Sequence, residues 1–138
     1  MDYQECLNRL RRVFSVSNAT PSRPPARLTE AEVEALRKEY PALPEEYLEF
    51  LSRVGWGNLC VLQFYNKPIE ADELYGSDAS DLKRIMLICD DYHGYGYGFH
   101  EEDPSTVVEV SPELVVDRAC AIDFPSLVYD FFDEELAS

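Results

Sequence analysis

Asp90-Asp91-Tyr92-His93 is where side chains able to do chemistry stand closest together, and His100-Glu101-Glu102-Asp103 follows shortly after. Carboxylates beside imidazoles can hold Mg²⁺, Mn²⁺ or Zn²⁺, and a carboxylate pair can move protons. A metal-dependent hydrolase using Asp90, Asp91 and His93 is therefore one reading. Two arguments weigh against it. Neighbours on a strand point to opposite faces, so Asp90 and Asp91 do not converge there. Acidic turns beside strands are also common without any metal. The position where a zincin motif starting at His100 needs its second histidine is Pro104. No phosphate-binding glycine loop ends in lysine, and Gly94, Gly96 and Gly98 alternate too regularly for a dinucleotide fingerprint. There is no G-x-S-x-G elbow. The expectation is a protein that is not an enzyme, with no catalytic residue, no metal and no cofactor.

Charge favours binding instead. The 138-residue chain has a formal net charge of −15. It is unevenly placed: residues 1–28 carry +3 and residues 29–138 carry −18. Self-repulsion of this size opposes compaction, and phosphates would be repelled, which disfavours nucleic acid. A basic protein partner fits. The candidate contacts are the loop carboxylates Asp72, Glu73, Asp78 and Asp81, together with Asp90, Asp91, Tyr92, Glu101, Glu102 and Asp103. Tyr92, at a turn, is the aromatic expected to be exposed. Tyr95, Tyr97 and Phe99 share one strand parity and read as core, and Trp56 reads as a buried anchor.

The central stretch must be held by something. Ile85 to Cys89 is an apolar run, and Tyr95 to Phe99 alternates aromatics with glycines. Together they read as a β-hairpin at the centre of a sheet, with bare backbone on one face for close approach. Before it, Tyr3, Cys6, Leu7 and Leu10 repeat at helical spacing to about Phe14. Ser17 to Arg27 is a proline-bearing linker. Thr29 and Glu32 form a capping box for a helix reaching about Tyr40. Pro44 opens another, with Tyr47, Leu48, Leu51 and Val54 as its stripe, Phe50 beside them and Gly55 as C-cap. Leu59 to Tyr65 reads as one strand, and Asn66 to Asp81 as loop with one helical turn.

After the hairpin, Glu101 to Pro104 is an acidic turn and Thr106 to Val110 a strand. Pro112 breaks the pairing, and Leu114–Val116 and Ala119–Ile122 are edge pieces. Asp123 caps a last helix with Phe124, Leu127, Val128, Phe131 and Leu136 on its stripe and Phe132 beside it. The class is α+β: a largely antiparallel sheet flanked by N-terminal helices and a C-terminal helix. Residues 1–28 form a helix and linker, and 29–138 the main domain. Cys6, Cys60, Cys89 and Cys120 have no metal spacing and sit among apolar residues, as buried free thiols of the cytoplasm do. The N-terminus lacks signal-peptide features, and no apolar run approaches a membrane span.

Three stretches resemble the SUKH superfamily (Smi/Knr-like). They are Leu43-Pro44-Glu45-Glu46-Tyr47-Leu48-Glu49-Phe50-Leu51 with Gly55-Trp56-Gly57, the strand and turn from Ile88 to Phe99, and Asp123-Phe124-Pro125-Ser126-Leu127-Val128-Tyr129-Asp130-Phe131-Phe132. The resemblance covers about residues 29–136. It departs from the family pattern at Tyr92-His93 and Tyr95, where members more often carry a denser glycine or aspartate run. It implies an α+β sheet flanked by helices, no cofactor and no catalytic residues. The function it implies is that of an immunity protein in a bacterial polymorphic toxin system, binding and occluding a toxin domain such as a nuclease. The rival binding role is a regulatory scaffold with an endogenous partner.

Overall fold

The computed structural model describes residues 2–15, 25–76, 80–121 and 123–137. Among the described residues six strands pair only with their sequence neighbours, all antiparallel, in the order β1 (Gly57–Leu59), β2 (Leu62–Glu70), β3 (Ile85–Asp90), β4 (Gly96–His100), β5 (Asp103–Val110) and β6 (Val116–Ala121). The expected central hairpin is β3–β4, which lies in the middle of this meander.

One face of the sheet is covered by helices α1 (Tyr3–Ser15), α2 (Glu30–Glu39), α3 (Glu45–Arg53), α5 (Phe124–Phe131) and α6 (Asp133–Ala137). The other face carries the short helix α4 (Ala71–Tyr75) and a 3-10 turn at Ser80–Leu82. Strand parity divides the core accordingly. Met86, Ile88, Tyr97 and Phe99 face the helical layer, whereas Ile85, Leu87, Val108 and Val110 face α4.

Local chemistry explains the helices. The Thr29 side chain accepts from the Glu32 backbone N–H, and Glu32 accepts from the Thr29 N–H, which closes the capping box. Pro44 occupies the N-cap of α3, and Gly55 follows its end at φ 123°. A Cβ at Gly55 would lie 2.8 Å from the Ala26 carbonyl oxygen, because residues 25–26 cross there and Ala26 bridges Trp56. Trp56 is half-buried against the core. Asp123 caps α5 by accepting from the Ser126 N–H at 2.9 Å. In the helical layer Phe50 stacks on Phe64 at 4.7 Å, and Phe124 meets Phe50 edge-on at 5.5 Å. Helix α1 joins the same core through the fully buried Cys6, Leu7 and Leu10.

Four expectations are corrected. Leu59 to Tyr65 is a hairpin: Cys60 and Val61 form its two-residue turn, with Leu59 opposite Leu62 and Cys60 at φ 58°. Cys60 is therefore exposed, unlike the buried Cys6 and Cys89; the side chain of Cys120 lies outside the described ones. The stretch after Tyr65 stays in strand to Glu70 before α4 begins. The last helix breaks at Phe132, whose φ of −114° ends α5. The break turns Phe132 fully inward against Phe14, Phe50 and Phe64, and leaves Phe131 half-buried against Tyr97.

Candidate functional site

The turn after β3 is built by its own carboxylates. Asp90 Oδ1 accepts from the Tyr92 N–H at 2.9 Å, and Asp90 Oδ2 accepts from the Tyr65 hydroxyl at 2.8 Å. Asp91 Oδ1 accepts from the N–H groups of His93 and Tyr95 at 2.9 and 3.1 Å. These bonds hold Tyr92 at φ 67° and aim its ring outward, where the hydroxyl donates to Asn58 Oδ1 at 2.6 Å. Burial and the nearby Asp90 charge raise the Tyr92 pKa. Both carboxylates are thus engaged in shaping the turn, and among the described residues no three His, Cys, Asp or Glu side chains converge as a metal site.

The candidate partner residues divide between the two ends of the sheet. Asp90, Asp91 and Tyr92 lie at one end. Glu101 and Glu102, in the β4–β5 turn, and Asp103, the first residue of β5, lie at the other. Ile85 pairs with His100 and Asp90 with Gly96, so about five residues of strand, or ~16 Å, separate the groups. Asp72 and Glu73 sit in α4, and Asp81 in the 3-10 turn, where it lines a cavity of about 370 Å³ with Ser80, His100 and Val116. Asp78 lies outside the described residues. Arg84 pairs with Glu102, and His100 Nδ1 accepts from the Glu102 N–H at 3.1 Å.

At this second end the acids crowd. The carboxyl of Glu70 is raised above its ordinary value, first by burial and then by the charges of Glu101, Asp72 and Glu73. The folded protein therefore holds the Glu70 proton more tightly than the unfolded chain does. The penalty is full above the raised pKa and is relieved as pH falls through it. Glu70→Gln should raise the thermal midpoint at pH 7. The gain should vanish below about pH 4, where the carboxyl is protonated in both states. A melting series across that range checks it, and a pH-independent gain would contradict the charge argument.

No family model, curated protein or solved structure matches this chain. No described helix is long and apolar enough to cross a membrane.

The sequence did not single out Asn58, Cys60, Val61 or Phe131 as neighbours of Tyr92. Cys60 and Val61 are poor turn formers, so turn chemistry gave no signal. A parity switch was present: Leu59 is buried at an odd position, whereas Leu62 and Phe64 are buried at even ones.

Proposed function

We propose that this chain is a SUKH-like immunity protein that binds a basic toxin domain in the cytoplasm and occludes its working cleft, without catalysis of its own. The observation that carries this reading is the crowding of Glu70, Asp72, Glu73 and Glu101. Two segments of chain, residues 70–73 and the β4–β5 turn, bring their carboxylates together although the charges oppose each other, and a cationic partner would relieve that repulsion. The net charge of −15 extends the attraction over distance. The three stretches resembling the SUKH superfamily and the α+β architecture are consistent with it. A nuclease presents the kind of basic cleft for which an acidic surface competes.

Co-expression with toxin domains from the same genome is the direct test: cells should survive a cognate toxin with the chain and die without it, at equimolar inhibition. Association should slow as salt rises, because steering is screened within roughly 8 Å at physiological ionic strength. Reversing the charges of Asp72, Glu73, Asp81 and Glu101 together should lower the on-rate by about tenfold or more. The thermal midpoint should hold or rise slightly, since the reversal relieves the repulsion on Glu70 and surface carboxylates otherwise contribute little to the fold. Stopped-flow binding reads the rate. An on-rate insensitive to both salt and charge reversal would rule out electrostatic recruitment.

A further inference from the structure

The turn end of the sheet holds a groove of about 460 Å³, lined by Cys60, Val61, Asp91, Tyr92, His93 and Phe131. Its two apolar lips stand in water: Val61 is 54% exposed and Tyr92 49%. Both turns are held in conformations that L-residues resist. Cys60 has φ 58° and Tyr92 φ 67°, in the left-handed region. The side chains are fixed as well. Tyr92 is tied to Asn58, and Cys60 Sγ donates to Glu135 Oε1 at 3.1 Å. A rigid aromatic that is already in place loses little entropy when a partner arrives.

The rim is acidic. Asp91 stands on one lip, and Glu134 and Glu135 stand beside the other. Their closeness shows in the Cys60 thiol, pushed up to about 12 by burial, by its hydrogen bond to Glu135 and by the charges of Glu135 and Glu134.

We propose that this groove is the docking site for a segment of the partner domain that presents an apolar side chain flanked by lysines or arginines. The proposal rests on the reading of the chain as a binder of a basic domain, and it names the surface that holds the partner once charge has recruited it. Charge complementarity selects this occupant. A second copy packed about a two-fold axis would bring Asp91, Glu134 and Glu135 against the same acids. An uncharged peptide would gain nothing from the acidic rim. The apolar lips supply the short-range contacts that govern dissociation.

The test titrates the full isotope-labelled chain with three acetylated, amidated pentapeptides: KRLKR, KRGKR and EELEE. KRLKR should shift amides at residues 58–61 and 90–93, KRGKR should bind about fivefold more weakly, and EELEE should not bind. Tyr92→Gly suits the positive φ and so removes the ring without new strain, and Val61→Ser truncates the other lip. Each should weaken KRLKR about fivefold with an unchanged thermal midpoint. Shifts centred on Glu70 and Glu101, or equal affinity for KRGKR, would overturn the proposal. So would a dimer in sedimentation that Val61→Ser dissociates, which would make the occupant a second copy. In cells, both variants should lose about tenfold in protection against a toxin that the wild type neutralises. Full protection by both would discard the groove and leave the function standing. A wild type that neutralises nothing would discard the function, and the peptide result would then decide the groove alone.

Discussion

Gly98→Ala is expected to remove at least ~3 kcal/mol of stability, a large share of the roughly 5–15 kcal/mol that holds a domain of this size together. A Cβ at Gly98 would lie 1.9 Å from the Met86 carbonyl oxygen and 2.7 Å from Leu87 Cα. Both obstacles are backbone, so no rotamer change relieves them. Nor can the strand step aside. Gly98 pairs with Leu87 on one flank and with Val108 on the other, and β3 bulges between Leu87 and Cys89, beside this point. The constraint is space and not dihedral angle, because Gly98 has no positive φ. Gly76 makes the control: nothing lies within 4 Å of its missing Cβ, but its φ is 61°. Gly76→Ala should cost only about 1–2 kcal/mol of left-handed strain. Urea melts of both variants check the ranking. Equal losses would mean that β3 does not press on β4.

Phe132→Ala should cost ~3–5 kcal/mol, and Phe131→Ala only about 1–2. Phe132 is fully buried, with its ring centroid 5.7 Å from Phe14, 6.2 Å from Phe50 and 6.4 Å from Phe64. Deleting it opens a hole beside the aromatic cluster, whose members are pinned by one another and relax poorly into the space. Phe131 makes an edge-on contact with Tyr97 at 5.2 Å and is only partly buried, so it forfeits one ring contact and part of its burial. Denaturant unfolding of the two single variants separates them. The reverse order would mean that the last helix runs unbroken through residue 132, as a uniform helical stripe implies.

That pair also shows what the sequence could and could not reveal. Period-3.6 counting from Phe124 admits both Phe131, at i+7, and Phe132, at i+8 and four residues after the buried Val128; the helix break at Phe132 goes with the second being the buried one. Such a break is set by the fit of two short helices on the core, which no local pattern encodes. The capping box at Thr29, the cap at Asp123 and the central hairpin were legible because each is a short-range signal. The length of β2 was hidden because Asn66, Lys67 and Pro68 read as loop. The structure shows why a strand tolerates them. Strand β1 covers only Leu62 to Phe64, and the register with β3 jumps from Phe64 to Ile69, so Pro68 sits in a bulge, where the sheet tolerates a missing donor. At the candidate site, composition identified the acids but not their grouping. Asp90 and Asp91 read as potential ligands because ligand carboxylates and turn-forming carboxylates are chemically identical; their engagement with the Tyr92, His93 and Tyr95 amides distinguishes the two roles.

The contact between α1 and α6 has a consequence for synthesis. Arg9 Nη1 donates to the Leu136 carbonyl at 2.8 Å across a sequence separation of 127 residues. At roughly 5–20 residues per second, a ribosome that has made Arg9 needs about 6–25 s more to make its partner. Throughout that interval Cys6, Leu7 and Leu10 have no C-terminal surface to pack against. The meander can assemble strand by strand as it emerges, since each described strand of the sheet pairs with its neighbours in sequence. The first helix made is thus among the last to dock completely, and a nascent chain stalled before residue 124 would present its apolar stripe to chaperones and proteases.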